Sequence, residues 1–231
     1  MNILEFQKKL KNDFEWINKD VFDKIEIYKN YLRSENKKFN LTRLHSDEKI
    51  YSDYFYESIF VYKNLIENKS QKILDIGSGS GIPGIIIGLI FDRSNITIIE
   101  PNLKQCKFMK TLIEILSIRN IIIINNRAEC LDKSFRENFD IATSRAVASL
   151  KILLEITIPY LKINGILIQP KSSNLDFELK ASELIIKKLN IFHETTIDKK
   201  FNEKIHKIII FKKIKPTNLI YPRKWREIIN E

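Results

Sequence analysis

The sequence predicts an α/β fold: a Rossmann-like sheet, mostly parallel, ended by an antiparallel terminal hairpin and preceded by an N-terminal helical cap. Three observations predict it. Between about residues 71 and 171, short apolar runs alternate with helix-length segments. The first of these runs, Ile73-Leu74, leads into the glycine-rich turn Asp75-Ile76-Gly77-Ser78-Gly79-Ser80-Gly81. Near the end, two β-rich runs are separated only by residues 198–205, too short for a parallel crossover, which needs about a dozen residues or more.

The elements follow in order. Residues 1–70 form the cap. Phe14, Ile17, Val21, Ile25, Tyr28 and Leu32 recur at helical spacing and give it one apolar face. Asn40-Leu41-Thr42 interrupts it, and a further helix is expected over 47–66. Residues 71–215 form the sheet domain. Strands are expected at 72–76, 96–100, 121–125, 140–144 and 166–169, with helices over 83–91, 102–116 and 148–161. Pro83 suits a first helical turn, where its missing N–H costs nothing. A helix over 177–189 precedes the hairpin strands at 191–197 and 206–214. Residues 216–231 form a basic tail carrying Arg223, Lys224 and Arg226.

At 231 residues the chain is long enough for one α/β domain with an appendage. Its 39 Lys and Arg exceed its 29 Asp and Glu, a net charge of +10 that favours a polyanionic partner. The charge alone does not choose between RNA, DNA and a membrane surface. Cys106 and Cys130 make no disulfide framework and are expected as small buried apolar residues. The start of the chain lacks a signal-peptide core, and no apolar run reaches membrane-spanning length. A cytoplasmic monomer without metal is the expectation.

A glycine turn at the carboxyl end of the first parallel strand cradles a nucleoside cofactor. Gly79, Gly81 and Gly84 also satisfy the dinucleotide pattern, so context must choose the cofactor. Asp75 favours S-adenosylmethionine: a carboxylate there can face a cationic methionine end, whereas beside a pyrophosphate it would be repulsive. The terminal antiparallel hairpin agrees, since it is how a class I methyltransferase sheet ends. Glu100, closing the second strand, can accept from both ribose hydroxyls of either cofactor. After the third strand, a backbone N–H of Arg127-Ala128-Glu129 can read the adenine edge, with Glu129 accepting from its amino group. Gly77 and Gly79 admit the cofactor to the backbone.

Methyl transfer from a sulfonium needs alignment and exclusion of water. The fourth strand ends in Ala142-Thr143-Ser144-Arg145-Ala146, without the Pro-Pro-aromatic motif of many exocyclic-amine methyltransferases. No Pro-Cys or Thr-Cys pair is present for attack on a pyrimidine ring. His45, His193 and His206 lie outside the expected strand-end turns, so a histidine base lacks support. A nucleophile with a free lone pair and no proton to lose, such as guanine N7, fits best. Arg145, the candidate catalytic residue, and Lys171 could then hold RNA phosphate or the base edge.

These residues resemble the RsmG family, once called glucose-inhibited division protein B, of small-subunit ribosomal RNA guanine-N7 methyltransferases. Asn40-Leu41-Thr42, the run from Asp75 to Gly84 with Ile82-Pro83-Gly84, Ser144-Arg145-Ala146 and Tyr221-Pro222-Arg223-Lys224 carry the resemblance. It implies methylation of 16S rRNA near the decoding centre, in the small ribosomal subunit. It also implies cofactor contacts at Gly77, Ile82, Ala128, Glu129 and Arg145, with Arg127 a further arginine of the active edge. The chain departs from the family's pattern at Glu35-Asn36, at Tyr54-Phe55-Tyr56-Glu57-Ser58, at Lys171-Ser172 and after Lys224, where Trp225-Arg226-Glu227-Ile228 follows. RNA contacts are expected in the cap and tail. The rival readings are an NAD-dependent oxidoreductase, a non-catalytic RNA-binding module, and a methyltransferase acting on another RNA, a protein or a small molecule.

Overall fold

The structure, a computed structural model, describes residues 1–171 and 175–230; Ser172, part of one departure noted above, lies outside them. Helix α1 (Ile3–Asp13) starts in a capping box, with the Glu5 N–H donating to the Asn2 side chain and the Asn2 N–H to the Glu5 carboxylate. Helix α2 (Lys19–Phe39) begins at Asn18 and ends at Asn40, whose left-handed φ of 50° lets its N–H return to the Asn36 carbonyl. The apolar stripe expected as one helical face is therefore divided. Phe14 and Ile17 sit in the connector, and the stripe remains buried because both segments pack on the same core.

The helix expected over 47–66 is also divided. One turn, α3 (Asp47–Lys49), passes into a π-helical stretch, Ile50–Tyr56, and then into α4 (Glu57–Phe60). The wider turn sends the Glu57 N–H to the Ser52 carbonyl and turns the side chains that follow.

Strands β1 (Lys72–Ile76), β2 (Asn95–Ile99), β3 (Ile121–Ile124), β4 (Phe139–Ser144) and β5 (Leu161–Lys171) are parallel neighbours in the order β3-β2-β1-β4-β5. Helices α5 (Gly84–Ile90), α6 (Leu103–Ile115), α7 (Leu150–Thr157) and α8 (Leu175–Lys188) alternate with them. Strand β7 (Lys204–Lys213) pairs antiparallel with both β5 and β6 (Ile191–Phe201), completing a seven-stranded sheet. The expected terminal hairpin is present. Its strands run longer than expected and meet at an Asn202-Glu203 turn, with Asn202 at a φ of 52°. A short helix, α9 (Trp225–Ile229), ends the described chain.

Alternation along β1 divides the core. Ile73 packs on one side with the cap, α5 and α6; Leu74 and Ile76 pack on the other with α7 and α8. The cap is tied to the glycine turn, because the hydroxyls of Tyr28 (2.5 Å) and Tyr54 (3.1 Å) both donate to the Ser80 carbonyl. Among the described residues no helix is long and apolar enough to cross a membrane. Cys106 is buried as expected, but Cys130 is exposed, a correction. It lies in the 3₁₀ turn Ala128–Cys130, which buries Ala128 instead.

Candidate active site: two adjoining cavities at the sheet's switch point

Strand order reverses between β1 and β4, so their loops part at the carboxyl edge of the sheet and leave a crevice. Two cavities open there.

The smaller, about 280 Å³, is bounded by Gly77 and Gly79, Glu100, Arg127-Ala128-Glu129 and Val147, with Trp225 from the tail. Gly77 and Gly79 have φ of 75° and 60°, a left-handed backbone that suits glycine. A Cβ on Gly77 would strike Val147 Cγ2 at 2.4 Å. One on Gly79 would meet nothing nearer than Gln105 Oε1 at 3.5 Å, so Gly79 presents bare backbone to the cavity. Glu100 is buried and held from both sides, accepting the Gly79 N–H and the Asn102 N–H at 2.9 Å each. Glu129 Oε1 is buried with no hydrogen-bond partner among the described residues and stands 3.6 Å from an Arg127 guanidinium nitrogen. Apolar walls, a backbone approach and an unpartnered acceptor suit a nucleoside.

Asp75 occupies a different place from the one its position in the motif suggests. It is fully buried beneath the turn, accepting the Gly84 N–H at 2.8 Å and the Ser78 hydroxyl. Burial pushes its pKa up to about 7 against the lowering effect of those two donors, with the Glu100 charge adding to the rise. Its Oδ1 has no hydrogen-bond partner among the described residues. Ile82 is likewise buried behind the turn and does not line the small cavity.

The larger cavity, about 610 Å³, shares Ala146 and Ala148 with the smaller. Ala146 has a φ of 55°, rare for a residue with a side chain, at the point where the two cavities meet. Arg145 lines this second cavity and not the first. Its guanidinium donates to the Ser58 hydroxyl and lies 3.9 Å from Glu57. Lys171 lines it as well, but its side chain is only 8% exposed and its amine donates to Glu178 at 2.7 Å and to the Ala148 carbonyl at 3.1 Å. Its charge is thus matched inside the protein. Arg127, with a side chain 55% exposed and stacked 5.4 Å over the Trp225 ring, keeps an open face to solvent at the mouth of the first cavity.

Sequence reasoning missed Glu57, Lys204, His206 and Trp225. His206 lies outside the strand-end turns, as expected, yet lines the larger cavity. It stands on β7, with Nε2 3.7 Å from Glu57, and burial holds its pKa below the usual value against the pull of that carboxylate. Loop position gave no signal for it, because β7 is placed beside β5 by pairing over the whole hairpin. The one available signal for Glu57 was its place in the Tyr54–Ser58 motif. Among the described residues, no cluster of His, Cys, Asp and Glu is arranged to hold a metal.

The M. jannaschii protein TYW2, in a structure in complex with AdoMet, shares this fold at a TM-score of 0.55 and 16% identity, over 69% of this chain and 77% of that one. At sequence level the relations are much closer. The ribosomal RNA small subunit methyltransferase G of Ureaplasma parvum serovar 3 is 43% identical, covering 98% of both chains. The protein of that name from Malacoplasma penetrans is 44% identical, over 100% of this chain and 98% of its own. A family described as rRNA small subunit methyltransferase G matches residues 22–208. A span that long takes in the turn at Gly77, the Glu129 loop, the whole lining of the larger cavity and all of the smaller one's except Trp225, and the chain belongs to that family, GidB.

Proposed function

We propose that this protein transfers a methyl group from S-adenosylmethionine to N7 of a guanine in the 16S RNA of the small ribosomal subunit. The observation that carries the reading is the junction of the two cavities at Ala146 and Ala148, one built for a nucleoside and the other rimmed by cations.

When bound, S-adenosylmethionine supplies an electrophilic sulfonium methyl: the N7 lone pair forms the new nitrogen–carbon bond, the carbon–sulfur electron pair stays with sulfur, and no proton leaves. The protein's work is therefore to bind, align and dehydrate. Glu100, fixed by two backbone N–H groups, is placed to hold ribose hydroxyls. Ala128 and Glu129 hold the adenine edge, and Gly77 and Gly79 leave room for the backbone to approach. Arg145 belongs to the substrate side, where it positions the base or a flanking phosphate. Arg127 contributes a phosphate contact at the rim. The net charge of +10 supports RNA as the partner. Both cavities lie within one chain, so a monomer suffices. The cap, residues 1–70, and the tail, 216–231, extend the RNA contact beyond the sheet domain, 71–215.

The experiment is to map N7-methylguanosine in small-subunit rRNA from cells with and without the protein, then restore the mark with purified protein and S-adenosylmethionine. Loss of one mark in the deficient cells and its restoration are expected. An unchanged methylation map would overturn the proposal.

A further inference from the structure

We infer that Glu57 reads the Watson–Crick edge of the target base and makes the larger cavity selective for guanine, an inference that rests on the methyl-transfer reading above. N7 is common to guanine and adenine, so placing a methyl opposite N7 does not distinguish them. Their other edges do. Guanine offers two adjacent donors, N1–H and the N2 amino group, whereas adenine offers a bare N1 lone pair. A carboxylate accepts from both guanine donors in parallel and repels the adenine lone pair.

Two carboxylates line the cavity among the described residues, Glu57 and Glu178. Glu178 is committed, accepting from Lys171 at 2.7 Å and from the Leu150 N–H at 2.6 Å. Glu57 accepts one long hydrogen bond, from an exposed amine. It is only 8% exposed; Lys204 donates to its Oε2 at 3.3 Å, while His206 at 3.7 Å and Arg145 at 3.9 Å stand beside its Oε1. The last two lie beyond hydrogen-bond reach. Lys204, with a side chain 62% exposed, can swing aside into solvent. His206 Nε2 is buried without a hydrogen-bond partner among the described residues. Glu57 is thus a largely desolvated carboxylate with acceptor capacity to spare, facing the cavity in which the base must lie. Arg145, beside it, is placed to donate to guanine O6.

The same contact bears on rate. Transfer moves the positive charge from the sulfonium onto the purine ring, which makes N1–H a stronger donor. An acceptor opposite N1 therefore binds the transition state more tightly than the starting base. Removing Glu57 should lower kcat as well as raise KM.

The test pairs a protein change with a substrate change. The mapped target guanine is replaced by inosine, which keeps N7, N1–H and O6 but lacks the N2 amino group. Wild-type protein, Glu57→Gln and Glu57→Ala are assayed on both substrates. Inosine is expected to cost the wild type about tenfold in kcat/KM, one charge-assisted hydrogen bond, and to cost Glu57→Ala less than about twofold. On guanine, Glu57→Ala should be roughly a hundredfold slower, and Glu57→Gln, which keeps one acceptor oxygen and the shape, intermediate. Calorimetric affinity for S-adenosylhomocysteine should not change in either variant, which separates base recognition from misfolding. Should Glu57→Ala not fold, Glu57→Gln carries the comparison, with an inosine penalty smaller than that of the wild type. An equal inosine penalty in wild type and variants would show that Glu57 only neutralises its cationic neighbours, and would overturn the inference while leaving the methyl-transfer reading intact. Absence of any N7-methylguanosine formed by the wild type would overturn both.

Discussion

Asp75 Oδ2 accepts the Gly84 N–H at 2.8 Å, so the carboxylate closing β1 also fastens the start of α5. Burial raises its pKa to about 7 against a usual 3.8, although this hydrogen bond favours the ionised form, so keeping the carboxyl protonated is a pH-dependent contribution to stability. The folded protein keeps a proton that the unfolded chain has lost. The contribution is full below about pH 3.8 and is lost as pH rises through about 7. At about 1.4 kcal/mol per unit, the swing is on the order of 4 kcal/mol. Urea unfolding of wild type and Asp75→Asn from pH 4 to 8 should show the wild type losing stability relative to the variant across that window. A constant difference would remove Asp75 as the cause.

Gly77 and Gly79 should fail differently. Gly77→Ala places a methyl 2.4 Å from Val147 at positive φ and should destabilise the fold by roughly 1–2 kcal/mol, read as a lower denaturation midpoint. Gly79→Asp has room for its Cβ. Its left-handed φ of 60° should cost about 1 kcal/mol of stability, and the variant should fold yet lose calorimetric binding of S-adenosylhomocysteine. Full affinity in that variant would place the cofactor elsewhere.

Trp225 bounds the smaller cavity from the tail, where the sequence departs from the family's usual ending. Trp225→Ala should weaken S-adenosylhomocysteine binding by roughly tenfold through lost aromatic contact. Titration of a Trp16→Phe background should show the Trp225 fluorescence changing as the ligand binds. Unaltered emission and affinity would exclude the tail from the cofactor site.

The tail is held by Arg223, whose backbone N–H and guanidinium make three hydrogen bonds to Glu155, at 3.0, 2.8 and 2.6 Å. Glu155 has a side chain 1% exposed, so Arg223→Ala leaves a buried carboxylate without its counter-charge and with only the backbone N–H, at a cost of about 3 kcal/mol. The variant should show a depressed Tm and faster proteolysis within 216–231. It should also show the cofactor weakening of Trp225→Ala.

Arg127 and Lys171 are separated by a salt titration of RNA binding. Arg127, open to solvent, should reduce the slope of log affinity against log salt by about one when replaced by Ala. Lys171→Ala should leave the slope unchanged and lower stability, because its partner Glu178 is internal. A matching slope change for Lys171→Ala would restore it to the RNA face.

How much was legible in the sequence follows from the range of the forces involved. The glycine turn was readable because left-handed backbone at Gly77, Gly79 and Gly81 is a local requirement. The antiparallel end of the sheet was readable from the connection length. The π-helical stretch at Ile50–Tyr56 had no local signal and came from packing of the cap. The exposed face of Cys130 and the buried seat of Asp75 were likewise set by what packs around them.

The chain's own order of residues therefore determined the alternating architecture, the nucleoside turn and the family, since periodicity and turn conformation act between near neighbours. Only the tertiary structure decided that Arg145 serves the second cavity, that Lys171 is neutralised, and that Glu57 stands against Lys204, a residue 147 positions away along the chain. Charges so distant in sequence are matched by packing of the cap against the terminal hairpin, and that placement has no signature in either segment alone.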